Sequence, residues 1–255
     1  MSTVVRLRGV PVGEGRTKVA APLVAEDAAG LVAEAGRVAA AGVDLAEWRA
    51  DHALAAGTAP AGLPSALRRR LGDVPLLLTV RSAEESGAVR LDDAGYAAAV
   101  TALLEPDGGD AVDLELARSA VLPDLLAQAH GAGLRVVLSA HDLTGTPPVP
   151  EIVDRLSTMA AAGADIAKVA VTAHGPRDVL ALLEATAAAR ETLDLPVVTM
   201  AMGPVGLVSR LCGEVFGSAV TFGAVDRPSA PGQIDVRRLR DVVDLVHEHA
   251  GGGAR

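Results

Sequence analysis

The stretch Ala162-Gly163-Ala164-Asp165-Ile166-Ala167-Lys168-Val169-Ala170-Val171 decides how the chain is read. A helix-favouring run ends at a glycine, which supplies the left-handed residue that stops a helix, and an apolar run follows at once. The same device stands at Ala41-Gly42-Val43-Asp44 and at Gly131-Ala132-Gly133-Leu134. Working outward, eight short apolar or β-branched runs appear: Thr17–Val24, Val43–Asp51, Pro75–Ser82, Ala111–Leu116, Arg135–Asp142, Asp165–Val171, Pro196–Met202 and Ala219–Val225. The segments between them are rich in Ala, Leu, Glu and Arg and favour helix. Strands this uniformly apolar have no wet face, which implies a parallel sheet covered by helices. Eight strand-helix units in about 230 residues point to a closed (β/α)8 TIM barrel. An open doubly wound sheet would carry a glycine-rich phosphate turn after its first strand, and none is present. Val4–Val10 alternates ahead of the eight units and runs into Pro11-Val12-Gly13-Glu14-Gly15, so residues 3–20 read as an N-terminal β-hairpin at the barrel's bottom. One catalytic domain over residues 1–255 is expected, with Gly251 to Arg255 as a flexible tail.

Composition narrows the functions. Half of the 255 residues are apolar, enough to bury a core, and glycine and proline are scattered rather than massed, which excludes collagen-like and disordered chains. A net charge of −9 argues against a nucleic-acid partner. One cysteine, Cys212, excludes an internal disulfide and suits a reducing, cytoplasmic setting. No signal peptide or membrane-spanning run is visible, so a soluble protein is expected. Of 23 basic residues, 21 are arginine, and the two lysines are Lys18 and Lys168.

In a barrel of this kind, chemistry gathers at the C-terminal ends of the strands. The unusual residues lie there. Val43, Leu45, Glu47 and Arg49 share a face by the two-residue period of a strand, so an apolar base gives way to an acid and a base. The third run ends in Thr79 and Arg81, with Glu85 in the following loop; Asp113 and Glu115 share a face on the fourth; the fifth ends in Ser139-Ala140-His141-Asp142. Each has a plainer reading. Glu47 and Arg49 can form an ion pair with each other, His141 can be a hydrogen-bonded rim histidine, and Asp142 can cap a turn. Asp113 and Glu115 read as holding their neighbours in place, and Met200 and Met202 as pocket wall.

Lys168 is harder to explain structurally. A buried ammonium among apolar neighbours is costly. Arginine stays protonated, whereas an amine can lose its proton, attack a carbonyl and form an imine. Its plainer alternatives are snorkelling outward or pairing with a buried acid. Lys18, near the hairpin, reads as a surface base. Further on, Gly203-Pro204-Val205-Gly206 turns the chain toward Arg210, a guanidinium suited to a carboxylate or phosphate. Arg227-Pro228-Ser229-Ala230-Pro231-Gly232-Gln233 then presents a hydroxyl and an amide. A generic barrel phosphate site is the plainer reading of this corner.

Taken in order, these residues resemble the type I 3-dehydroquinate dehydratases, the Schiff-base class. The resemblance spans essentially the whole chain. It rests on Glu47-Trp48-Arg49-Ala50-Asp51, Thr79-Val80-Arg81-Ser82 with Glu85, Ser139-Ala140-His141-Asp142 with Thr146-Pro147, and Lys168. Met200-Ala201-Met202-Gly203, Ser209-Arg210, Gly213 to Ser218, Thr221-Phe222-Gly223 and Ser229 to Gln233 add to it. The resemblance implies a hydro-lyase of the shikimate pathway, leading to chorismate and the aromatic amino acids, that dehydrates 3-dehydroquinate to 3-dehydroshikimate through an imine on Lys168. It further implies His141 as the proton-transfer group, Glu85 as its partner, and substrate contacts from Glu47, Arg49, Arg81, Arg210, Ser229 and Gln233. No metal or organic cofactor is implied, and a homodimer is. The chain departs from the family pattern at Ala140, at Ala167 and in the Pro204-Val205 turn, which puts loop mobility and pocket fit in question.

Three rivals remain. A class I aldolase would share the barrel and the lysine, but Glu47-Trp48-Arg49, His141 and the Ser229 to Gln233 loop discriminate against it. A metal-dependent sugar isomerase on Glu47, Glu115 and His141 would leave Lys168 without a role. A catalytically silent ligand-binding barrel would be signalled by a missing lysine or histidine, and both are present.

Overall fold

The computed structural model describes residues 4–250. Strands β1 (Val5–Leu7) and β2 (Val10–Val12) form an antiparallel hairpin. Eight parallel strands follow: β3 (Lys18–Leu23), β4 (Leu45–Arg49), β5 (Leu76–Thr79), β6 (Ala111–Glu115), β7 (Arg135–Asp142), β8 (Ile166–Thr172), β9 (Val197–Met202) and β10 (Val220–Phe222). Between them run α1 (Ala28–Ala40), α2 (Ala50–Ala55), α3 (Leu63–Leu71), α4 (Asp93–Thr101), α5 (Leu122–Gly131), α6 (Val149–Ala161), α7 (Pro176–Thr192) and α8 (Leu207–Phe216), with α9 (Val236–His249) last.

Each strand pairs with the next from β3 to β9, and β10 pairs with β3. The ring closes through a parallel bridge between Val197 and Ser218, where the Ala219 amide donates to the Val197 carbonyl at 2.8 Å. The expected barrel and hairpin are therefore present, while the 251–255 tail and residue 3 lie outside the described residues. Gly42, Gly133 and Gly163 hold φ of 72°, 79° and 99°, as the helix-stopping reading requires.

Several runs are shorter than their sequence limits. β4 ends at Arg49 because Ala50 and Asp51 open α2, and β5 ends at Thr79 because the chain turns into a 3-10 turn at Ala83–Glu85. Val43 precedes β4 and packs in the layer between barrel and helices.

Two apolar clusters hold the molecule. The larger fills the space between the sheet and the helices, including Trp48, Leu78, Leu114, Leu138 and Val169. The smaller lies inside the barrel, where Leu45, Leu77, Ala111, Val137, Ile166 and Val198 meet Val5, Leu7 and Val12 of the hairpin. The hairpin thus plugs the bottom. Two residues further along the same strands, on the same inward face, stand Glu47, Thr79, Asp113, Ser139 and Lys168. The interior changes from apolar to polar in one step on five adjacent strands.

Candidate active site

Glu47 and Lys168 of that layer open into a cavity lined also by Arg49, Arg81, His141 and Arg210, with Met200, Met202 and Phe222 as wall and Ser229, Ala230 and Gln233 at the rim. Lys168 is 5% exposed. Its Nζ donates to Asp113 Oδ2 at 3.0 Å, stands 4.0 Å from Glu47 Oε1, and lies 5.0 Å over the ring of Phe222. The lysine therefore does pair with a buried acid, the plainer alternative, and faces the cavity as well.

Asp113 is the hub beneath it. Its carboxylate accepts from Arg81 Nη2 at 2.7 Å and from Ser139 Oγ at 2.6 Å. Burial alone would raise its pKa, but Arg81 and Lys168 outweigh burial and hold it well below the carboxylate range. Arg81 Nη1 also bonds Glu85 Oε2 at 3.2 Å and Glu115 Oε1 at 3.1 Å. Burial opposes its charge, yet Asp113, Glu85 and Glu115 raise its pKa well above the ordinary value.

His141 shares a hydrogen bond between Nδ1 and Glu85 Oε2 at 2.7 Å. Burial lowers the imidazole pKa well below its usual value, and the charges of Arg81 and Lys168 add to this. Burial raises Glu85 to about 8, with Arg81 opposing and Glu115 and Asp113 assisting. Burial disfavours charge on both groups.

Arg210 behaves differently. It is 1% exposed, its Nη1 meets Met200 Sδ at 3.6 Å, its Nη2 donates to the Pro231 carbonyl at 3.2 Å, and its Nε has no hydrogen-bond partner among the described residues. Burial lowers its pKa to about 10. Among the described residues it has no carboxylate partner, and a buried guanidinium so placed beside a cavity is suited to an anion. The rim above it is pinned from within: the Ser229 amide donates to Gln233 Oε1 at 2.8 Å, and Gln233 Nε2 to Ser229 Oγ at 3.1 Å.

The structure brings together every residue singled out from sequence for the site. It also departs from two of the plainer readings. Arg49 does not pair with Glu47; its Nε and Nη2 each donate at 2.8 Å to Asp51, while Glu47 Oε1 accepts from Thr79 Oγ1 at 3.0 Å. Lys18 is not a surface base but 6% exposed, its Nζ donating to the carbonyls of Glu14 and Arg16, both at 2.6 Å. Asp142 accepts from the Thr144 and Gly145 amides, the turn-capping role. Phe222 and Asp51 escaped the sequence reading as site residues, although Phe222 is one of two phenylalanines in the chain. Glu115, needed by the isomerase rival, is committed to the Ser82 amide and hydroxyl at 2.8 and 2.7 Å. Among the described residues, no three or more His, Cys, Asp or Glu side chains are grouped to hold a metal ion.

Comparison with known proteins agrees with the resemblance read from sequence. The family described as Type I 3-dehydroquinase matches residues 19–250. The 3-dehydroquinate dehydratase of Listeria welshimeri is 42% identical over 246 residues, covering 95% of this chain and 97% of its own. Among solved structures, the 3-dehydroquinate dehydratase of Geobacillus kaustophilus superposes with a TM-score of 0.92 at 35% identity, with 97% of each chain covered. The type I enzyme of Clostridium difficile, solved with covalently modified comenic acid, gives 0.91 at 36% identity over 97% of this chain and 98% of its own. On this evidence of sequence, fold and site, the chain belongs to the type I 3-dehydroquinase family.

Proposed function

We propose that this chain is a hydro-lyase of the shikimate pathway that dehydrates 3-dehydroquinate to 3-dehydroshikimate through an imine on Lys168. One observation carries the reading: an amine, a carboxylate-supported imidazole and an acid-free guanidinium converge on a single small cavity.

The substrate's carboxylate would sit on Arg210, with Ser229 and Gln233 beside it, and Glu47, Arg49 and Arg81 would hold its ring hydroxyls. Fixing the ring in this way lowers the barrier by making the reaction intramolecular. Lys168 Nζ attacks the C3 ketone, the ketone oxygen leaves as water, and a carbon–nitrogen double bond forms whose nitrogen carries one proton. That protonated imine withdraws electrons from C2. His141 removes a C2 proton, and the electron pair becomes an enamine. The same imidazole, now charged, gives its proton to the C1 hydroxyl, which departs as water. Water then hydrolyses the imine, returning Lys168 and releasing the enone. The balance is one ketone acid in, one enone and one water out.

Glu85 sets when His141 can act. With Glu85 ionised, its carboxylate accepts Nδ1–H and leaves Nε2 free to take a proton. Between turnovers the buried Asp113 carboxylate would hold Lys168 Nζ beside the ketone site.

The homodimer, the cytoplasmic location and the single-domain organisation belong to this proposal as well, supported by the resemblance and by the single cysteine. No described helix is long and apolar enough to cross a membrane. The test of the activity is direct: purified protein with 3-dehydroquinate should develop the ultraviolet absorbance of the conjugated enone. Unchanged substrate after long incubation contradicts the assignment. A solution mass of one chain would remove the dimer.

A further inference from the structure

Asp51 has no exposed surface, and its carboxylate receives four hydrogen bonds. Two come from the Arg49 fork, at 2.8 Å each. The others come from backbone amides across the sheet: Arg81 N at 3.3 Å on Oδ1 and Ala88 N at 2.9 Å on Oδ2. These amides flank the loop that carries Glu85. The same loop is held at its start by Glu115 on Ser82, and it folds back through Ala83 N to Val89 O and Gly87 N to Ser82 O, both 2.7 Å. A Cβ at Gly87 would stand 1.8 Å from the Arg81 carbonyl, so the turn admits no side chain there. Glu85 then reaches His141. On its other side, Arg49 Nη1 lies 3.4 Å from the Ser229 carbonyl in the rim loop.

We propose that Asp51 is a positioning residue that ties the cavity-facing guanidinium of Arg49 to the loop carrying Glu85, so that one buried carboxylate sets both the substrate's pose and the orientation of the His141 ring. The idea rests on the dehydratase reading for its catalytic consequence, but the tie itself is geometric. Burial would raise the Asp51 pKa, yet the Arg49 fork and the Ala88 amide overcome it and hold the carboxyl below its ordinary value. The clamp therefore stays charged at neutral pH. Misplacing reacting groups by about 1 Å costs on the order of 100-fold in rate, so the tie has large leverage.

The experiment is Asp51→Asn, which keeps the shape and removes the charge. Active sites are counted by borohydride trapping with 3-dehydroquinate, so that rates refer to folded enzyme. Per active site, KM should rise and kcat should fall, each by about tenfold, and the rise in kcat/KM near pH 8 set by Glu85 should move. Asp51→Glu should recover part of each. Wild-type KM, kcat and pH profile per active site, with only a lower melting temperature, would reduce Asp51 to a structural residue and overturn the proposal. If Asp51→Asn does not accumulate, Arg49→Met with Asp51→Asn leaves no unpaired buried charge and is compared with Arg49→Met alone. A further fall in kcat with a displaced pH profile supports the tie; identical behaviour overturns it. Hydrogen exchange separates this from the fate of the dehydratase reading. Even in an enzyme without dehydratase activity, Asp51→Asn should speed exchange in residues 81–90 and 226–233, and unchanged exchange in both would break the tie.

Discussion

The chain's two lysines sit at opposite ends of the same barrel, equally buried, and do different things. Lys18 closes the bottom: its ammonium is taken by the carbonyls of Glu14 and Arg16 and so fastens the hairpin's exit to β3. Burial lowers its pKa. Lys168 stands at the mouth, with one carboxylate at 3.0 Å, an aromatic face, and a cavity in front of it. Burial therefore does not mark a reactive lysine; what the nitrogen faces does. The arginines repeat the contrast. Arg81 bonds three carboxylates and holds the site together, whereas Arg210, equally buried, has no carboxylate partner among the described residues, as a site for an incoming anion would require.

Substitution at the two lysines gives the largest test of that contrast. Lys168→Ala should lower kcat by about 10⁴-fold or more, as loss of a nucleophile does, with the fold intact by circular dichroism. Residual turnover within tenfold of wild type would make the lysines equivalent. Next in size, His141→Ala should cost about 10² to 10⁴ in kcat while still accumulating covalent intermediate, read by intact mass. Arg210→Ala should raise KM by about 10- to 100-fold, the worth of hydrogen bonds to a charged group, with a smaller change in kcat. Unchanged substrate affinity would remove it from the carboxylate site.

The pH profile sharpens the contrast at the mouth. Burial pushes the Glu85 pKa up to about 8, so kcat/KM should climb as pH rises through that value and Glu85 ionises. Glu85→Gln, whose amide oxygen accepts Nδ1–H at any pH, should flatten that rise. For stability the sign is opposite. A carboxyl whose folded pKa lies above its unfolded one makes the native state hold the extra proton, so this group's contribution declines as pH rises from its ordinary 4.5 to about 8. Lys18→Met should give the smallest functional effect, a loss of about 1–3 kcal/mol from two unpaired carbonyls. Its kcat should be unchanged, and chemical denaturation checks the figure.

Much of this was legible in the sequence for a physical reason. Strand alternation alone places Glu47, Arg49, His141 and Lys168 on inward faces, and a closed barrel brings every inward face to one mouth. What alternation does not encode is where it stops. Asp51 lies two residues past Arg49, on the inward phase of the run, but α2 begins at Ala50 and turns its carboxylate back onto the guanidinium. Arg49 consequently found an acid that reads as strand, not the Glu47 that shares its face. Lys18 reads as a surface base in sequence because its partners are main-chain carbonyls in the Glu14 to Arg16 turn, and a turn's carbonyl directions leave no trace in side-chain pattern. Glu85 sits in a loop, and its contact with His141 depends on β5 and β7 being brought to the same mouth, which only tertiary structure fixes.

The decisive measurement is reductive trapping. Borohydride added during turnover of 3-dehydroquinate should fix one reduced ligand per chain, and peptide mapping should place it on the peptide containing Lys168 and not on that containing Lys18. Demonstrated turnover with no adduct, or an adduct on any other residue, would contradict the account.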